Sequence, residues 1–129
     1  MKRRYQLLRR RGLRFTKGAI HGPMGVVVVE LLVDTGAAFS LLPPVILRTI
    51  GIDPAQARTR QRIATAKGYI VAPVVTIPRF ECLGQQLDQY QVLAHALPLG
   101  SSINGVLGMD FLERFPLRFE LDLGVISER

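Results

Sequence analysis

A single carboxylate set between apolar runs is the first residue of this sequence equipped for chemistry. In L-L-V-D-T-G-A-A-F-S, residues 31–40, Asp34 closes one apolar run and Thr35 and Gly36 precede the next. Carboxylates seldom occupy such surroundings unless they are paired, hydrogen-bonded or used. Thr35 offers a hydroxyl that hydrogen-bonds without filling a cavity. Gly36 admits unusual backbone angles and lets another main chain come close. The tripeptide by itself also reads as a turn with an N-capping aspartate. One carboxylate, moreover, holds one protonation state at a time and cannot serve as acid and base together.

Other reactive groups are sparse. His21 and His95 are far apart and lack partners at ligand spacing, so no metal site is expected. Cys82 is the only cysteine, which excludes an intrachain disulfide and a cysteine-based metal site; a small core residue on a strand is the expectation. No Ser–His–Asp arrangement and no phosphate-binding glycine loop is readable, and no cofactor is expected.

The elements that must position Asp34 are mostly strands. Residues 26–33 are a β-branched run interrupted only by Glu30, which predicts a central, buried strand ending at the aspartate. Residues 13–20 predict the strand before it, and H-G-P-M-G (21–25) the turn between them. Pro43 and Pro44 predict a short helix over 44–50, closed by Gly51. R-I-A-T-A-K-G-Y-I-V-A-P (62–73) predicts a hairpin turning near Lys67–Gly68. Strands are expected over 74–82 and 87–93, joined through Gly84, and a short one over 104–108. A brief helix over 109–115 and a hairpin over 117–127, turning at Leu123–Gly124, complete an all-β chain with two short helices and no βαβ rhythm.

The 129 residues suit one domain able to bury a core without metals or disulfides. With 48% hydrophobic and 21% charged residues, the chain is globular rather than disordered. The net charge of +7 is unevenly spread. Residues 1–17 hold eight bases and no acid, and the remainder holds nine bases against ten acids. We therefore expect a basic N-terminal arm, residues 1–12, ahead of a nearly neutral domain, residues 13–129. Such an arm reads as a solvated tail; contact with nucleic acid, acidic lipid or acidic protein is the alternative. Aromatics for base stacking are few there, only Tyr5 and Phe15. No apolar run approaches the length of a membrane span, and no apolar core of a secretory signal follows the basic start, so a cytoplasmic location is expected.

Two ordered stretches resemble the retropepsin-like aspartic proteases. L-L-V-D-T-G-A-A-F-S-L-L-P is similar to that family's active-site segment, including the hydroxyl residue at Ser40. I-N-G-V-L-G-M-D-F-L (103–112) is similar to its second motif, an apolar pair and a glycine leading into a short helix. The resemblance covers roughly residues 13–127. It implies a closed β-barrel of acid-protease type in which Val106, Leu107 and Gly108 pass beside the active-site strand, glycine allowing the close crossing. It further implies a flap over 62–73, with Ala66, Lys67 and Gly68 facing substrate.

The resemblance also implies a use for the lone acid. Aspartic proteases hydrolyse amides with two carboxylates about 3 Å apart that share one proton. This chain has one D-T-G, so the expectation is a homodimer whose Asp34 residues meet on a two-fold axis and act on a peptide or protein substrate. Thr35 would brace the pair across that axis, Gly36 would meet substrate backbone, and Ala37, Ser40 and Gly108 would support the site. Asp110 reads instead as a carboxylate capping its short helix or facing its dipole; Asp53 and Asp122 read as turn or strand residues. Retroviral members usually carry acids where this chain has Ala38 and Phe39, and often Arg where it has Met109, so both sides of an ion pair have become apolar. Alanine at position 37 cannot donate a hydrogen bond to the ionised aspartate, which predicts a mildly acidic to neutral optimum. A non-catalytic, dimeric peptide-binding module of the same fold is the rival expectation.

Overall fold

The computed structural model describes residues 2–97, 103–120 and 122–127. Among the described residues, eleven strands and two short α-helices follow one another: β1 (Lys2–Gln6), β2 (Leu8–Arg10), β3 (Leu13–Gly22), β4 (Gly25–Val33), β5 (Leu41–Leu42), α1 (Pro44–Thr49), β6 (Thr59–Thr65), β7 (Gly68–Cys82), β8 (Gln85–Ala94), β9 (Val106–Leu107), α2 (Met109–Leu112), β10 (Leu117–Glu120) and β11 (Leu123–Ser127). A 3-10 turn at Pro54–Gln56 follows α1, its start held by Asp53, whose side chain accepts from the Ala55 amide at 3.0 Å.

The larger sheet runs β2-β3-β4-β9-β5-β8-β7-β6, and β3 pairs additionally with β7. That second pairing joins the two sides of the sheet, so β3, β4, β9, β5, β8 and β7 form a closed ring, the barrel expected from the sequence. Inside it lie Ile20, Leu31, Leu42, Ile77, Phe80, Tyr90, Leu107 and Phe111, all at most 2% exposed. Phe80 stacks on Tyr90 at 5.1 Å between ring centroids, and Phe111 meets Phe80 edge-on at 5.5 Å. These rings seat α2 against the barrel and thereby fix the chain just beyond Gly108.

Residues 26–33 do occupy a central strand, between β3 and β9, but they are not buried throughout. Val26 and Val28 are 55% and 62% exposed. Of the residues of β4, the two-residue β9 pairs only with Leu32 and Val33, so the first half of β4 has a neighbour on one side alone among the described strands. The C-terminal hairpin also turns earlier than expected, since Glu120 already pairs with Leu123. Leu123 and Gly124 are strand residues because β1 pairs with them through Gln6 and Tyr5.

The described part of the basic segment is hydrogen-bonded rather than trailing. β1 pairs with β11, Lys2 opposite Ser127 and Gln6 opposite Leu123; β2 pairs with β3. Between them Leu7 is buried, and its amide donates to the Asp122 carbonyl at 2.7 Å. Arg14 Nε lies 2.6 Å from Asp122 Oδ1, tying the small β1-β11-β10 sheet to the barrel. Arg10 pairs with Glu30 and lies over the Phe15 ring.

Candidate active site

β4 delivers Asp34. Val33 stands opposite Leu107 in the parallel pairing with β9, and the Asp34 amide continues the ladder by donating to the Leu107 carbonyl at 3.0 Å. There the chain leaves the sheet and turns. The Ala37 amide donates to the Asp34 carbonyl at 3.2 Å, and the Gly36 amide donates to Asp34 Oδ1 at 2.9 Å. Asp34 is half-buried, whereas Thr35 and Gly36 are exposed. Among the described residues, Thr35 has no side-chain partner within its own chain.

Gly36 does not take the unusual backbone angle expected of it; it is absent from the glycines with positive φ. Its small size matters instead, because an added Cβ would lie 3.2 Å from Asp34 Oδ1, beside the hydrogen bond. At Gly108 the demand for space is stronger. A Cβ there would come within 2.8 Å of the Ala37 carbonyl oxygen and of the Phe39 carbonyl group, all backbone atoms. The two segments are laced together at this crossing: the Met109 amide donates to Ala37 at 2.8 Å and the Asp110 amide to Ala38 at 3.2 Å.

Ser40 is the junction beneath the loop. Its Oγ accepts from the Tyr90 hydroxyl at 3.1 Å and from the Gly108 amide at 3.0 Å, and donates to Asp110 Oδ1 at 2.7 Å. The Ser40 amide donates to Asp110 Oδ2 at 3.1 Å. Asp110 thus lies in the first turn of α2 without capping it: the cap position is Gly108, and the carboxylate turns to Ser40. With both oxygens so engaged, Asp110 braces the loop. Burial pushes the Tyr90 hydroxyl well above its usual range, and the Asp110 charge adds to that, opposed by the bond to Ser40.

The structure therefore brings Asp34, Thr35, Gly36, Ala37, Ser40 and Gly108 into one cluster. Ala66, Lys67 and Gly68 lie elsewhere, at the tip of the β6–β7 hairpin: Thr65 pairs with Gly68, leaving Ala66 and Lys67 as a two-residue turn, and Gly68 has φ +120°. β6 is the edge strand, with β7 its strand partner, so the tip projects from the barrel rather than joining it. Sequence reasoning missed Tyr90 and the role of Asp110. A tyrosine in an alternating strand signals only that its hydroxyl needs a partner once buried. His21 Nε2 meets Glu81 Oε1 at 2.7 Å on the barrel wall, and among the described residues no cluster of His, Cys, Asp and Glu could hold a metal.

A closed barrel with a glycine crossing behind a D-T-G loop defines a class, the all-β retropepsin-like aspartic-protease fold. The chain is similar over 98% of its length to the crystal structure of a retropepsin-like aspartic protease from Rickettsia conorii, with TM-score 0.75, 23% sequence identity and 91% of that chain covered. A family profile described as aspartyl protease matches residues 16–111, so the chain belongs to the aspartyl protease family. A comparison with curated proteins finds no match.

Proposed function

We propose that the protein is an aspartic endopeptidase whose catalytic dyad forms when Asp34 of one protomer meets Asp34 of a second. The carrying observation is that the D-T-G loop presents one carboxylate, half-buried, beside an exposed Thr35 hydroxyl with no partner among the described residues of its own chain. Like charges about 3 Å apart cannot both ionise, so a paired Asp34 would share one proton. The ionised member takes a proton from the water held between them. The protonated member hydrogen-bonds the scissile carbonyl and stabilises the oxyanion that develops. Thr35 braces the pair across the axis, Gly36 lies against substrate backbone, and the β6–β7 hairpin with Ala66, Lys67 and Gly68 closes over the peptide.

Family membership and fold support the peptidase class. The one-domain division, with the basic segment as an accessory to residues 13–129, and a reducing, cytoplasmic setting belong to the same proposal. Among the described residues no helix is long and apolar enough to cross a membrane.

Peptide-library cleavage by wild type and by Asp34→Asn tests it, with solution mass measured alongside. Loss of general acid–base chemistry should lower turnover by about 10²–10⁴-fold, and the mass should be twice the 14.3 kDa of one chain. Cleavage that survives the substitution removes the reading, as does an active species of single-chain mass. Peptide binding without any turnover would favour the non-catalytic module instead.

A further inference from the structure

A cavity of about 210 Å³ lies between the loop that carries Asp34 and the root of the β6–β7 hairpin. Its lining includes Phe39 from the loop, Gln61 and Val74 from the hairpin, Gln91 from β8, and Asp110 and Arg114 from and just after α2. At about 30 Å³ per water, the space holds about seven waters or one amino-acid side chain.

The two charges in the lining are not equivalent. Both oxygens of Asp110 already accept from Ser40. Arg114 is held from behind: its Nε donates to the Asp110 carbonyl at 3.0 Å, and its guanidinium lies 5.2 Å from the centre of the Tyr90 ring. Those contacts orient the planar group, and no carboxylate pairs with it among the described residues. The cavity therefore presents an apolar wall, two side-chain amides and one positioned guanidinium.

Resting on the peptidase reading, we propose that this cavity is a specificity subsite for a substrate glutamate and that Arg114 sets the preference. The methylenes of a glutamate would lie against Phe39 and Val74, and its carboxylate would take the guanidinium fork, a geometry arginine offers and lysine does not. The Gln91 amide, and the second amide hydrogen of Gln61 beside the one it donates to the Arg62 carbonyl at 3.1 Å, would complete the carboxylate's hydrogen bonds. Because Arg114 is exposed to solvent, the gain is that of an open ion pair and shrinks with salt.

The test uses peptides identical except for Glu, Gln, Leu or Lys at one position, cleaved by wild type, Arg114→Ala and Arg114→Glu. In wild type, kcat/KM for the Glu peptide should exceed that for the Gln peptide by about fivefold at low salt and by less at high salt. Arg114→Ala should bring the Glu/Gln ratio to about one, and Arg114→Glu should favour the Lys peptide. Since each readout is a ratio within one variant, a general loss of activity does not imitate the effect. Cleavage without a glutamate preference at any position, or a preference that Arg114 substitutions leave unmoved, overturns the subsite and leaves the peptidase reading standing. Absence of all cleavage overturns the peptidase reading. In that event calorimetric binding of the same peptides to the Asp34→Asn protein decides the cavity: a glutamate preference lost in the Arg114→Ala double variant upholds it, and its absence overturns it.

Discussion

Ser40 carries more of the site's geometry than its type suggests. One buried hydroxyl receives two hydrogen bonds and gives a third, joining β8, α2 and the crossing at Gly108. Replacing it with alanine leaves the Tyr90 hydroxyl, the Gly108 amide and an Asp110 oxygen short of a partner. Each such buried loss costs about 1–3 kcal/mol, so Ser40→Ala should destabilise the fold by at least that much in urea denaturation. It should also lower kcat, because the loop that ends in this junction begins at Asp34. A variant with unchanged stability would mean water replaces the hydroxyl. Cys82 makes a separate prediction. Burial pushes its thiol from 9.0 up to about 12, with a bond from Thr16 and one from the Leu83 backbone opposing. The unfolded chain loses this proton first, so the group's contribution is whole below about pH 9 and is lost as pH rises through about 12. Stability measured between pH 8 and pH 11 should therefore fall, and fall less in Cys82→Ala.

The crossing of β9 and the Asp34 loop is the most constrained element. Gly108→Ala would press a methyl group to 2.8 Å from the backbone of the Asp34 loop at Ala37 and Phe39, in a gap the two segments already hydrogen-bond across. Overpacking of this kind costs about 1–3 kcal/mol. The backbone shift that relieves it moves Ala37, three residues from Asp34, so on the proposed function activity should fall further than stability; equal falls, read by kinetics beside denaturation, would contradict this. Much of this element was legible in advance, since D-T-G after an apolar strand and G-V-L-G before a short helix specify both partners of the crossing. The hairpin at Ala66–Lys67 was legible too, because alternation and a glycine dictate a local turn. What could not be read was non-local. Asp110 looked like a cap because its nearest sequence neighbours begin a helix, whereas its partner Ser40 lies 70 residues away. The exposed faces of Val26 and Val28 depend on how short β9 is, and the turn between Glu120 and Leu123 depends on pairing with a strand from the other end of the chain.

At the scale of the whole molecule, the proposed site is half of a pair. If both Asp34 residues are needed, a dimer holding one wild-type chain and one Asp34→Asn chain is inactive. Equal mixing and re-equilibration would then leave about a quarter of the dimers with two aspartates, and activity should fall to about a quarter rather than a half. A fall to one half, after exchange verified by mass, would indicate that each chain works by itself. Dilution should likewise lower specific activity once the dimer dissociates.

The pairing of Lys2 with Ser127 has a mechanical consequence. A pull on the two ends of the chain loads an antiparallel pair from its open end, where hydrogen bonds break in succession instead of shearing together. The β1–β11 ladder should therefore peel at low force, with the load reaching the ring of strands around Asp34 only after Leu7 and the Arg14–Asp122 pair have given way. The small sheet is a zip fastener sewn to a stiffer vessel, and opening it need not disturb what the vessel holds.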